Sequence, residues 1–442
     1  MISKEETKKL MIESLSQSKA DETEILLTRG KSELSRFSNS VIHQSTSKVD
    51  DYIQVRAVLG KKIGIASTNQ VSELSSTIEK AYEAAKLSKE KADFVSLPSE
   101  GSIEAQGTRY SQETADFGPK ERADYIGNII EAAKDYKAAG MFETSAAFMA
   151  IANSKGIFSF QRQTEANLNT IIFNEDASAY SYTISYDAGK INPEALGKEA
   201  YGTVIKSKNP ITIEPGVYTV VLKAAAVAEM LGLLSVVGFG ALSYQEKRSF
   251  MNGKMGKQIA SKKINLFDNA SDKMSFGWLF DYEGVKREKV DLLINGVAKN
   301  VVFDSFTANR GKTKNTGHAL PAGSTYGPLP LNLILDNGKE DVDELISGVD
   351  KGLLINRFHY TNLEDPVKTV FTGMTRDGTF LIEKGKVTTP VTNMRFTQNI
   401  LKALLEVEGF SKERSLASGL GGYSYVPAAK IGKFNFSSSY NE

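Results

Sequence analysis

The feature that most restricts how this chain can fold is an apolar stretch that runs from Ala224 to Leu242. Its length approaches the ~20 residues that a helix needs to cross a bilayer. However, Glu229 lies inside the stretch, glycines interrupt it, and no cluster of Lys and Arg flanks it on one side. These features argue against a membrane span. We therefore predict a helix over Ala224–Val237 that is buried on all sides within a large protein.

The size and charge of the chain are those of a multidomain globular protein. Its 442 residues exceed what one hydrophobic core usually organises, so two or three domains are expected. The 54 Lys and Arg residues nearly balance the 53 Asp and Glu residues, which leaves no broad field to attract nucleic acid or anionic lipid. We predict neither a nucleic-acid partner nor a membrane partner. The first residues have no apolar core and do not resemble a signal peptide, so a cytoplasmic location is expected.

The spacing of apolar residues predicts an α+β protein. Alternating segments such as Tyr52–Val58 indicate strands, whereas apolar residues after Ser72 recur at helical spacing. Turn-rich segments end an N-terminal α+β domain (1–100) and a middle α+β domain (101–215), and a strand-rich C-terminal domain (216–442) follows. We expect the first two to be α/β sandwich-like domains and the third to be barrel-like.

Glycine-containing dipeptides in the C-terminal half predict hairpin turns. Asn295-Gly296 follows an apolar run and suits a type I′ turn. Asp377-Gly378 and Lys384-Gly385 flank a second apolar run in the same way. Between these signals, Thr307–Pro330 is rich in Gly, Thr and Pro, which predicts a long loop that is functional or docked onto another part of the molecule.

Residues that could support catalysis are few. A zinc hydrolase needs His, Cys, Asp or Glu ligands and an open coordination position. The chain has no cysteine, and its three histidines, His43, His318 and His359, follow no paired spacing. We predict no metal site and no cofactor. No Gly-x-Ser-x-Gly pentapeptide is present, but other triads remain open, including a stand-alone hydrolase with a non-zinc site near His318.

Several short motifs are spread along nearly the whole chain: Arg36–Gln44, Gly64–Asn69, Thr316–Ala319, Pro330–Leu333, Gly352–Ile355 and Gly378–Gly385. Together, and in this order, they resemble the motifs of the TldD/PmbA family. The resemblance implies a heterodimer in which TldD-like subunits carry zinc and PmbA/TldE-like subunits do not.

The same resemblance implies that this chain lacks the zinc motif. Catalytic members carry His-Glu-x-x-x-His on a helix after a strand and add a C-terminal cysteine ligand. Here the strand corresponds to Tyr218–Leu222, and the three motif positions correspond to Lys223, Ala224 and Ala228. The chain would then be a PmbA/TldE-like subunit, inactive alone, that pairs with a zinc-bearing TldD-like subunit and helps to enclose unfolded or peptide substrates. A homodimer that holds peptides without cutting them is a further alternative.

The motifs also indicate which residues contact the partner or the peptide. The candidates are Arg36, Asn39, His43, Asn309, Arg310, Thr316, Gly317 and His318. Arg310 could pair with a peptide carboxylate. An equally open interpretation is that the loop over Thr307–Pro330 folds back and that its polar groups cap strand ends.

Overall fold

The computed structural model describes residues 3–105, 109–419 and 422–439. The helices are α1 (Lys4–Leu15), α2 (Leu74–Leu87), α3 (Gln112–Ala115), α4 (Pro119–Ala133), α5 (Pro193–Lys206), α6 (Ala224–Gly238), α7 (Ala241–Gln245), α8 (Ser305–Gly311), α9 (Val342–Ser347) and α10 (Ile400–Leu405). The strands are β1 (Glu22–Ser38), β2 (Val41–Leu59), β3 (Lys62–Thr68), β4 (Glu104–Ala105), β5 (Lys137–Asn153), β6 (Phe158–Phe173), β7 (Ser178–Ser185), β8 (Gly216–Leu222), β9 (Leu266–Asp268), β10 (Val290–Ile294), β11 (Val297–Ala298), β12 (Asn332–Leu335), β13 (Lys351–Asp365), β14 (Val370–Glu383), β15 (Lys386–Pro390), β16 (Met394–Asn399), β17 (Val407–Gly419) and β18 (Gly422–Ser439).

The first half of the chain forms one seven-stranded sheet. Its order is β3-β2-β1-β5-β6-β4, and β7 also pairs with β6. Strand β1 pairs with β5 from Glu24 to Phe37. Strands from both sides of the domain boundary expected at residue 100 therefore belong to the same sheet. Helix α2 covers one part of the sheet, and α4 and α5 cover another, which gives two hydrophobic cores on a shared sheet.

The second half forms an eleven-stranded sheet whose central strands close on themselves. Strands β8, β13, β14, β16 and β18 pair in succession, and β18 pairs back onto β8. This closed ring, together with the mixed helix and strand content, confirms the α+β class with a barrel-like, strand-rich C-terminal part. Strands β12 and β17 also pair with β18, which makes β18 the strand with the most partners in the described sheet.

Helix α6 is the helix expected from the apolar stretch. It begins at Ala224, directly after β8, and most of its side chains are buried in the large C-terminal core. Within the described ranges, no helix has both the length and the apolar character required to cross a membrane.

The expected long loop over Thr307–Pro330 is only partly a loop. Its first residues belong to α8, which begins after Asp304, whose carboxylate accepts a hydrogen bond from the Thr307 N–H at 2.7 Å. A side-chain cap of this kind satisfies an otherwise unpaired amide at the start of a helix. The sequence analysis missed this helix because it spans only two turns.

A buried ionic cluster joins the N-terminal sheet to the C-terminal half. Arg56 on β2 donates to Glu24 on β1 at 2.7 Å and to Glu283 at 3.1 Å. The three side chains are 11%, 4% and 5% exposed, respectively. Glu283 also accepts hydrogen bonds from the N–H and the hydroxyl of Ser305 at the start of α8. One guanidinium therefore faces two carboxylates, and one of the two negative charges is not neutralised.

This imbalance predicts that stability depends on the protonation of Glu24. Burial, which Arg56 only partly offsets, raises the pKa of Glu24 from 4.5 to about 7. Because the folded chain holds this proton more tightly, the contribution is fully present below pH 4.5 and is lost as the pH rises through 7. Between pH 5 and pH 8, wild-type protein should lose about 2–3 kcal/mol more of its free energy of unfolding than Glu24→Gln does. Urea unfolding across this pH range measures the difference.

The control for this experiment is Glu13→Gln, because Glu13 is exposed on α1. Its pH profile should follow that of the wild type. Parallel profiles for Glu24→Gln and the wild type would contradict the assignment.

Candidate functional site

A groove lies between the N-terminal sheet and the C-terminal barrel. It consists of two adjacent cavities of about 420 Å³ each, which share Tyr180, Tyr182 and Ala225. The first cavity is lined by Met141, Asn167, Asn169, Tyr180, Tyr182, Ile184, Ala225, Ala228, Glu229, Gly232, Leu233, Arg357, Phe358, Thr361, Ala417, Ser418 and Gly419. The second is lined by Tyr180, Ser181, Tyr182, Glu199, Lys223, Ala224, Ala225, Val342, Asp343, Asn356, Ser411, Glu413, Ser415 and Ala428.

The small side chains on one face of α6 leave space for the first cavity. Ala225, Ala228 and Gly232 recur at intervals of three and four residues and therefore lie on one face of the helix. Larger residues such as Met230, Leu231 and Leu234 are buried in the hydrophobic core. The pattern that buries α6 thus also forms one wall of the groove.

The three positions that the family resemblance assigns to the zinc motif line this groove. Lys223 and Ala224 line the second cavity, and Ala228 lines the first. An alanine methyl group has no ligand atom, and a lysine ammonium donates hydrogen bonds but has no lone pair to offer. Lys223 Nζ lies 3.5 Å from Glu199 Oε1. These residues do not fit a zinc ion.

Within residues 3–105, 109–419 and 422–439, no group of three or more His, Cys, Asp and Glu residues could hold a metal ion.

A charged pair at the edge of the groove comes from an irregularity in β14. The sequence analysis predicted a hairpin turn at Asp377-Gly378, and that prediction is wrong. Both residues lie inside β14, opposite the single residue Asn356 of β13, with φ angles of 55° and 123°. This is a β-bulge, which inserts an extra residue and redirects a side chain. The Asp377 carboxylate is thereby placed to accept a hydrogen bond from Arg357 Nε at 2.7 Å.

The same bulge connects the barrel to β7. Asp377 accepts a hydrogen bond from the Ser178 hydroxyl at 2.6 Å, and Asn356 Nδ2 donates to the Tyr180 carbonyl at 3.1 Å. The Arg357 guanidinium lies over the Tyr180 ring, 4.3 Å from its centroid. These contacts fix the orientation of β7 at the groove.

His318 does not lie at the surface, as the sequence analysis expected for a partner or peptide contact. Its side chain is fully buried, and Nε2 lies 3.0 Å from Asp268 Oδ1 at the end of β9. Its Nδ1 lies 2.9 Å from the Thr316 hydroxyl, which also accepts from the Phe303 N–H. Burial lowers the pKa of His318, so the ring is neutral at pH 7. The His318 side chain is therefore enclosed by the fold, and Thr316 and His318 bond back onto Phe303 and Asp268, whereas the contact role of the rest of the loop stays a prediction.

This arrangement also bears on the non-zinc hydrolase alternative. A hydroxyl, an imidazole and a carboxylate are linked in a row by hydrogen bonds, as a triad requires. However, His318 and Asp268 are both 0% exposed. A substrate cannot reach the ring, so the network serves the fold. Gly317 belongs to it as well: its φ is +71°, and an added Cβ would lie 2.2 Å from the Lys286 carbonyl oxygen.

The other predicted contact residues are exposed but lie outside the lining of the groove. Arg36, Asn39 and His43 surround the tip of the β1–β2 hairpin, where Asn39 has φ 50°. Asn309 and Arg310 lie at the end of α8, and Arg310 Nε is 3.6 Å from an Asp93 carboxylate oxygen. Their roles in contacting a partner or peptide remain predictions.

Sequence reasoning missed the residues that define the groove. Tyr180, Tyr182 and Arg357 were not singled out, and Asp377 was considered only as part of an expected hairpin turn. Glu229 did give one, because an acid within an apolar helix is rare. That acid was used only to argue against a membrane span.

Comparisons with known proteins agree with the fold and the motifs. The model of the PmbA/TldA metallopeptidase C-terminal domain matches residues 215–438, and the model of PmbA/TldA metallopeptidase domain 1 matches residues 23–85. The TldD homologue of Buchnera aphidicola from Acyrthosiphon pisum, described as a metalloprotease, is 23% identical over 413 residues, 87% of this chain and 84% of that protein. The Haemophilus influenzae metalloprotease TldD homologue is 20% identical over 409 residues, with the same coverage.

A solved structure covers almost the whole chain. The crystal structure of TldE from Thermococcus kodakarensis superposes with a TM-score of 0.86 at 21% identity and covers 98% of this chain and 99% of that one. At that identity the likeness concerns the fold. Since the C-terminal model alone spans more than half of the residues, this chain belongs to the PmbA/TldD metallopeptidase family.

Proposed function

We propose that this chain is the zinc-free subunit of a TldD/PmbA-type peptidase complex and that its groove helps to bind and enclose peptide substrates. The observation that carries the proposal is the groove beside α6, where the positions matching the zinc motif are Lys223, Ala224 and Ala228. The cleft is retained, but its residues cannot bind the metal. A zinc-bearing TldD-like partner would supply the hydrolytic chemistry in a heterodimer.

The geometry of β7 supports a role in holding an extended chain. Strand β7 pairs with β6 on one side, and no other strand of the described sheets pairs with it. On the side away from β6, the Tyr180 carbonyl accepts a hydrogen bond from Asn356 Nδ2, which holds this edge of β7 beside the groove. An exposed strand edge binds peptides through main-chain hydrogen bonds, largely independently of their sequence. This would suit a subunit that receives unfolded substrates.

The proposal predicts that activity and metal content depend on the partner. The chain purified alone should contain far less than one zinc per molecule and should not cleave an unfolded peptide, because no ligand set holds the metal. After mixing with a TldD-like chain that carries His-Glu-x-x-x-His, the two should form a stable complex that cleaves the peptide. Elemental analysis, size-exclusion chromatography and a peptidase assay measure these outcomes.

Two results would contradict the proposal. One is close to one zinc per chain, and the other is peptide cleavage by this chain alone that a chelator does not abolish. Peptide binding by a homodimer, with no complex after mixing, would instead support the non-cutting peptide-binding module.

A further inference from the structure

Among the described residues that line the first cavity, Glu229 is the one acid and Arg357 is the one base. The Arg357 charge is already paired with Asp377 through Nε and Nη2. No ion pair within residues 3–105, 109–419 and 422–439 involves Glu229, although hydrogen bonds to Thr361 and the nearby charge of Arg357 partly offset the effect of burial on its pKa.

Burial works against a charged acid at this position. Burial raises the pKa of Glu229, which means that folding disfavours its charged form. The neighbouring residues of α6 are apolar, and an apolar or small side chain would fit the helix without this cost. A group that opposes folding yet lines an open groove is a candidate for a binding function.

The groups around Glu229 suit a positively charged ligand. Asn167 and Asn169 present side-chain amides from β6, and the rings of Tyr180 and Tyr182 form a neighbouring wall. Carboxylate and amide oxygens accept the three hydrogen bonds that an ammonium group donates. Asn167 and Asn169 retain partial solvent exposure, so the cavity can be entered from solution.

We propose that this cavity binds a primary ammonium group of the peptide and that Glu229 is the residue that selects it. The inference rests on the proposed function, since the ammonium belongs to the peptide that the groove holds. The ammonium could come from a lysine side chain or from the peptide's N-terminus. Both supply the same charge and donors.

The test uses four peptides of otherwise identical sequence with a fluorophore at the C-terminus. They carry lysine or norleucine at one internal position, each with a free or an acetylated N-terminus. Fluorescence anisotropy gives their dissociation constants for the full chain, alone and mixed with the zinc-bearing relative. We expect the peptides that carry the selected ammonium group, either on the lysine side chain or at the N-terminus, to bind about 10–100-fold more tightly than the acetylated norleucine peptide. A preference that follows lysine identifies a side chain, and one that follows the free amine identifies the N-terminus.

Glu229→Gln provides the matched variant. It keeps the shape of the side chain and should remove the preference for ammonium, while the affinity for the acetylated norleucine peptide stays the same. Its unfolding midpoint should not fall below that of the wild type, because the lost charge does not stabilise the fold. Glu131→Gln, an identical change at an exposed position of α4, should keep the preference.

The outcomes separate this inference from the function on which it rests. Equal, measurable binding of all four peptides to the wild type would overturn the ammonium site and leave the peptide-binding role intact. An ammonium preference that persists in Glu229→Gln would overturn the role of Glu229. No binding of any peptide, either to the chain alone or to the mixed complex, would overturn both proposals.

Discussion

Replacing His318 with alanine is expected to lower the free energy of unfolding by about 3–5 kcal/mol. The change removes both hydrogen bonds of a fully buried ring and leaves a cavity in the core. It also leaves the Asp268 carboxylate, 0% exposed, without its imidazole partner. Urea unfolding monitored by circular dichroism measures the loss, and a failure to obtain folded protein agrees with the upper end of the range.

The chain provides its own control for this variant. His43 is exposed on β2, so His43→Ala should change the free energy of unfolding by less than about 0.5 kcal/mol. His318→Gln, which retains a hydrogen-bonding group, should be less destabilised than His318→Ala. Unchanged stability of His318→Ala, together with altered peptide binding, would return this residue to the functional surface where the sequence analysis placed it.

Replacing Arg56 with methionine should have a comparably large effect. The variant keeps the length of the side chain but leaves Glu24 and Glu283 buried without a cation. Removing one partner of a buried ion pair typically costs about 3–5 kcal/mol. The loss should grow as the pH rises, because the Glu24 carboxyl group, whose pKa is raised by burial, ionises with no opposite charge beside it. Thermal unfolding at several pH values measures both effects.

A charge-balanced variant tests the cause of that loss. Combining Arg56→Met with Glu24→Gln and Glu283→Gln removes all three charges and should recover most of the stability at pH 8. Arg248→Met, which removes an exposed arginine paired with Glu246, should have little effect. If the triple variant remains as unstable as Arg56→Met, the loss of stability comes from packing around the arginine and not from its charge.

The features that the sequence predicted well were those with strong local signals. An apolar stretch that contains a single acidic residue is stable mainly inside a protein core. The predicted end of α6 lies within one residue of its observed end. Asn295-Gly296 connects β10 to β11 with positive φ at both residues, as Asn-Gly favours. Asp377-Gly378 has the same conformational preference but forms a bulge, because β14 pairs with β13 both before and after these two residues.

The candidate site was harder to predict because its residues come from distant parts of the chain. The resemblance pointed to Thr316–His318, but a motif does not show whether its residues form a buried hydrogen-bond network or an exposed contact. Burial alone settled that question for His318. The groove depends on how the N-terminal sheet lies against the barrel, and no local pattern encodes that contact. The absence of cysteine, in contrast, is a statement about composition, which a sequence supplies directly.

The pairing of β18 has a consequence for how the protein is made. This strand closes the ring onto β8 and also holds β12, β16 and β17, so the barrel cannot be completed until most of the C-terminal half has left the ribosome. Pairings between segments so far apart in the chain form slowly. Helix α6, translated long before β18, stays without its full covering during that time, and exposed apolar segments of this kind promote aggregation. Slower synthesis at lower temperature, or additional chaperone capacity, should therefore raise the yield of soluble protein.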